Sequence, residues 1–178
     1  MGDRALAAAA PAQRMTDEQP PARHGDGHQP SVRWPAIVTP VLCMIGLGLS
    51  LYTLWVHYHP GALACIDAGP VDCQAVLTSP QSVVAGIPVP YFGVLFFVAL
   101  GVVCLPTSWR SANPWVRRGR LTIASVGIGA VLYLVATELF TVQKICLWCT
   151  GVHVVTFALF IIIVTNAAAV RDRSEPQA

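Results

Sequence analysis

The chain has 178 residues, 54% of them hydrophobic and 11% charged, with a net charge of +2 and a mean hydropathy of +0.59. A soluble domain carries about 25% charged residues, so too few polar faces remain here to cover a water-soluble helical domain, and nothing in the charge asks for nucleic acid as a partner. In chain order, residues 1–34 are rich in Ala, Pro, Gln, Gly and His, with four acids against Arg4, Arg14, Arg23 and Arg33. That composition builds no core and predicts a disordered cytoplasmic tail. Leu6–Ala10 is too short for a signal peptide, so the first apolar run is expected to act as an uncleaved signal anchor. His24 and His28 have helical spacing, but Gly25 and Gly27 argue against a metal site there. Four apolar runs follow, Ala36–Val56, Val89–Leu105, Leu121–Val142 and Ile145–Val170. Each approaches the ~20 residues needed to cross a hydrocarbon core, and in lipid such runs must satisfy their own backbone as helices. The expected fold is an all-α integral membrane protein, a four-transmembrane-helix domain over 35–170, with an outer loop at 57–88 and a short tail at 171–178. Within the loop, Val71–Thr78 reads as a short helix broken at Ser79-Pro80, lying over the bundle as a lid.

The charges orient this arrangement. Arg4, Arg14, Arg23, Arg33, Arg110, Arg117, Arg118, Arg120, Arg171 and Arg173 fall on one side, and only Lys144 on the other. The positive-inside rule then places both termini in the cytoplasm and the 57–88 loop outside, in a multi-pass protein of the cell membrane.

Six cysteines divide along the same line. Cys43 and Cys104 fall in or at the end of spans and read as small apolar packing residues. Cys65, Cys73, Cys146 and Cys149 lie on the outer side, where disulfides persist. Two structural staples, a zinc site and a redox relay are all open to such a set. The two-residue spacer of Cys146-Leu-Trp-Cys149 closes too small a ring to stabilise much. At a helix start it also sets a thiol near free amides, which favours reactivity. A zinc site would ask for closer spacing of Cys65 and Cys73; no metal is expected. Glu138, in the outer third of the third run, is a candidate proton relay, or a carboxylate sitting in water at the interface. Trp148 is either an interfacial anchor or a ring that stacks on a bound acceptor.

The ordered set Cys65, Cys73 and Ser79 in the first outer loop, then Cys146-x-x-Cys149 opening the last helix, resembles the vitamin K epoxide reductase family over roughly residues 36–166. Disulfide bond protein B is also a four-helix quinone-linked thiol oxidase, but it carries its two cysteine pairs in the opposite order. The resemblance implies that Cys149 faces a membrane quinone (menaquinone or ubiquinone) and reduces it, that Cys73 attacks Cys146, and that Cys65 resolves the mixed disulfide. The oxidised Cys65–Cys73 pair would then take electrons from an extracytoplasmic thioredoxin-fold protein, supporting disulfide-bond formation. Many bacterial relatives fuse such a domain after the last helix; with only 171–178 following, a separate partner is expected. The resemblance also implies a serine near the quinone at Ser79, and a quinone contact at His153, where vertebrate members have a tyrosine. Val89 stands where vertebrate members have a quinone-binding asparagine, which favours quinone over epoxide as the acceptor. The alternatives are a quinone epoxide reductase and a non-catalytic membrane scaffold stapled by two disulfides.

Overall fold

A computed structural model describes residues 33–172 apart from 67 and 112. The expected 1–34 tail, with His24 and His28, lies outside the described residues except for Arg33 and Trp34, as does the end of the chain from 173. Helix α1 runs Arg33–Tyr58, and a single 3-10 turn at Pro60–Ala62 leads into the loop. There α2, Cys73–Leu77, is followed by a 3-10 turn at Pro80–Ser82 and a hairpin of β1, Val83–Val84, and β2, Ile87–Pro88. Helices α3, Val89–Val103, α4, Pro106–Trp109, and α5, Pro114–Ala136, come next; α5 continues into a π-helical turn at Thr137–Val142. Helix α6 spans Leu147–Asp172.

The long helices form because nearly every position is apolar and the backbone must bond to itself. Helix α1 packs between α3 and α6, and α5 closes the set against α6 and α3. Gly46 lets α1 and α3 approach closely, since a Cβ there would run into the Phe97 ring. The shared core is Cys43, Phe97, Leu100, Cys104, Ala124, Val155, Leu159 and Ile163. At one end of the bundle, Asn113 accepts the Trp115 N–H at 2.9 Å and Pro114 opens α5, a cap and first-turn pairing that starts helices. Arg120 is buried there: its guanidinium lies 3.7 Å over the Trp109 ring and donates to the carbonyls of Val103 and Ser108, each at 3.2 Å. Trp109 donates in turn to Thr39 Oγ1 at 3.1 Å. We call this the arginine end, and the opposite one the cysteine end.

Among the described residues, three helices are long and apolar enough to cross a membrane, Trp34–Tyr58, Pro114–Val142 and Leu147–Ala169; α3, expected as the span Val89–Leu105, is a shorter apolar helix. This is a membrane protein. Three details depart from the sequence reading. The third span begins at Pro114 rather than Leu121, because its cap lies upstream of the arginines that lower the local hydropathy. The fold is not purely helical: β1 and β2 pair antiparallel, Val83 with Pro88 and Val84 with Ile87. Ala85 and Gly86, both at positive φ (51° and 81°), turn the chain between them, as the tight hairpins that match strand twist require. Finally, α5 widens into its π-turn and stops at Gln143, which takes a left-handed φ of 56°.

Candidate redox site

At the cysteine end, non-helical segments between the helices assemble the site. Gly69, at φ 61°, turns the loop so that Ala68 and Val71 bridge one another. Val71 then pairs in parallel with Ile145: the Ile145 N–H donates to Pro70 O at 2.9 Å and the Asp72 N–H to Ile145 O at 3.1 Å. Lys144 Nζ adds a bond to Gly69 O at 3.2 Å. The segment between α5 and α6 is thus docked along the loop just before both Cys73 and Cys146. Asp72 caps α2 by accepting the Ala75 N–H at 2.9 Å, which fixes the direction of Cys73. Cys73 and Cys146 are each fully buried and share one cluster with Val56, Val76 and Leu77, against which Cys65 and Cys149 also pack.

The four thiols are in two states. Cys65 and Cys73 are joined in a disulfide with a Cα–Cα distance of 6.2 Å, whereas Cys146 and Cys149 are free. Cys65 is held from below: the Ala64 N–H donates to Tyr52 Oη at 3.0 Å and Trp148 Nε1 donates to Ala64 O at 2.8 Å. The Tyr52 and Trp148 rings lie 4.4 Å apart. Cys65, unlike Cys73, is partly exposed, and it borders a cavity of 570 Å³ lined by Leu49, Ala64, Ile66, Leu147 and Trp148.

Cys146 stands immediately before α6, where the first amides of a helix have no internal partner. The Cys149 N–H points at its sulfur, 3.3 Å away. Hydrogen bonding from the Cys149 thiol, aided by the main chain, holds the Cys146 thiol below its ordinary value despite burial. That bias toward thiolate is what makes a cysteine a nucleophile. One turn further on, His153 is buried, 8% exposed.

The family description "Vitamin K epoxide reductase family" matches residues 37–164. The chain belongs to the vitamin K epoxide reductase family. No curated protein matches it. Membership makes this a protein of a membrane oxidoreductase family associated with quinones. Among the described residues no cluster of His, Cys, Asp or Glu could hold a metal ion.

Within this family member, Cys65, Cys73, Cys146 and Cys149 come together, with Trp148 between the two pairs. Trp148 lines the cavity beside Cys65 and ties α6 to the Cys65 segment through its bond to Ala64 O. Ser79 ends α2, its hydroxyl donating to Val76 O at 2.8 Å. Glu138 lies in the π-turn and is 8% exposed. Two supporting residues were not read from the sequence, Tyr52 and His57, whose Nδ1 reaches Leu77 O at 3.2 Å and closes the end of α2. Their only signal was polar atoms in the last turns of an apolar run. Cys43 and Cys104 pack in the core toward the arginine end, apart from the four.

Proposed function

We propose that the protein is a thiol oxidase of the membrane, which reoxidises an extracytoplasmic thioredoxin-fold partner and delivers the electrons to a membrane quinone. The observation that carries this reading is the Val71–Ile145 pairing, which sets an oxidised Cys65–Cys73 pair against a reduced Cys146–Cys149 pair in one buried cluster. In the forward cycle the partner's thiolate attacks Cys65, the only partly exposed sulfur of the loop disulfide, and releases Cys73. The Cys73 thiolate attacks an oxidised Cys146, releasing Cys149. Cys65 freed by the partner resolves the Cys73–Cys146 bond, each exchange conserving one disulfide.

A quinone, when bound, supplies a sink for two electrons and two protons. The residues fit such a group: Cys149 and the half-polar ring of His153, four residues on, share one face of α6. Ser79 keeps free lone pairs toward the same end. In this account α3, extended through Cys104 and Leu105, completes four crossings, both termini are cytoplasmic, and the cysteine end faces out. Purified protein with dithiothreitol as donor should reduce menadione, and replacing any of the four cysteines by Ala should abolish turnover with the physiological type of donor, a thioredoxin-fold dithiol. Folded wild-type protein that transfers no electrons would leave the stapled scaffold instead. Reduction of a quinone epoxide in preference to the quinone would support the epoxide reductase.

A further inference from the structure

The arginine end carries charge that the fold itself does not take up. Between Asp72 and Glu138 the chain contains no acid, yet Arg110, Arg117, Arg118 and Arg120 all fall there. Arg120 turns inward: it lies on Trp109 and donates to Val103 O and Ser108 O. Those contacts lock α4 and the start of α5 to the end of α3 as one elbow. The other three arginines are exposed on it. Arg110 caps α4, its N–H on Thr107 O at 3.2 Å. Arg118 sets its guanidinium 5.5 Å from the centre of the Trp115 ring, and Trp115 is itself 72% exposed. Helix α6 ends on Asp172, an acid flanked in sequence by Arg171 and Arg173.

Helical geometry sets the depth of this elbow. The helical segment Pro114–Val142 has 29 residues, about 43 Å at ~1.5 Å per residue, against a hydrocarbon core of about 30 Å. Its apolar run begins only at Leu121, so its first two turns stand at headgroup level. Indoles gather there, and the negative charge at that level belongs to lipid phosphates. We propose that the elbow binds the phosphodiester headgroups of anionic phospholipids, with Arg110, Arg117 and Arg118 on the phosphate oxygens and Trp115 beside the glycerol. The planar guanidinium fork matches two phosphate oxygens at once, and the Arg120 clamp holds the elbow in place. An acidic protein segment would meet the same charge but not an exposed indole at the foot of a membrane-crossing helix. The site is remote from the four cysteines and stands whichever acceptor they serve.

The test uses delipidated full-length protein in detergent, with binding read by native mass spectrometry. The probes are phosphatidylglycerol and phosphatidylcholine with identical acyl chains. Wild type should bind phosphatidylglycerol the more tightly. Arg110→Gln, Arg117→Gln and Arg118→Gln should each weaken it about fivefold, and the triple variant about 100-fold, with phosphatidylcholine binding unchanged. The triple Arg→Lys variant keeps the charge and should recover most of the loss. Neither inorganic phosphate nor poly-glutamate should displace the lipid. Equal affinity of wild type for the two lipids, or a triple Gln variant with wild-type binding, overturns the proposal. Displacement by poly-glutamate overturns it in favour of an acidic protein, and displacement by inorganic phosphate in favour of a plain anion site. If the triple variant does not retain the Cys65–Cys73 disulfide and a cooperative melt, the single variants decide: no loss in any of them overturns it equally.

Discussion

The two ends of this bundle hold the same reactive residue in opposite settings. Toward the arginine end, Cys43 sits within continuous helix and Cys104 closes one, both sealed among Phe97, Leu100, Leu159 and Ile163. Sealed in that apolar packing, a thiol there fills space. At the cysteine end the helices are broken, by a turn at Gly69, a five-residue helix, a π-turn and the step at Gln143. Irregular backbone survives at such depth only where protein buries it. Here the freed amides and carbonyls pair the loop to the segment before α6, and one of them meets the Cys146 sulfur. Chemistry in this fold depends on where regular structure stops.

That contrast can be broken in order of expected effect. Cys149→Ala should reduce quinone turnover to background, whereas Cys43→Ala should leave it unchanged and cost only packing, about 1 kcal/mol. A Cys43→Ala protein without turnover would erase the distinction between the ends. Arg120→Leu removes two carbonyl bonds and the stack on Trp109, and should cost about 2–4 kcal/mol of stability. Thermal unfolding in detergent would show this, with turnover per folded molecule retained. Trp148→Phe keeps the contact with Tyr52 but loses the bond to Ala64 O, about 1 kcal/mol. Its expected result is a several-fold slower reduction of the Cys65–Cys73 disulfide by a thioredoxin-fold dithiol, measured by stopped flow.

The smallest effect concerns pH. The Cys149 thiol helps to hold the Cys146 thiol below its ordinary value, so Cys149→Ala should raise it. At any pH between the old and new midpoints the thiolate fraction falls, so alkylation of Cys146 slows and its midpoint moves up. A midpoint that stays or falls would mean that the hydrogen bond does not act on the sulfur.

The apolar runs and the four cysteines were legible because each is a strong local signal: length against a bilayer for the first, ordered spacing for the second. The start of α5 was not, because Arg117, Arg118 and Arg120 resemble a solvated connection until Arg120 is seen buried on Trp109. The hairpin was hidden in Val83–Pro88, whose apolar residues do not distinguish strand from loop, with Ala85 in a backbone region usually left to glycine. The role of Trp148 depends on a contact with Ala64, far back in the chain, and no pattern within a window of sequence records it. Glu138 was visible as an acid within a span; that it turns inward follows from the π-turn, which carries no sequence signature.

The central claim is that the docked loop lets Cys73 attack Cys146. In a Cys65→Ala, Cys149→Ala double variant the two cannot be resolved by their usual partners. Mass spectrometry of the oxidised protein should then find one linkage, Cys73 to Cys146. Cys73 left free, or joined to Cys43 or Cys104, would contradict the account.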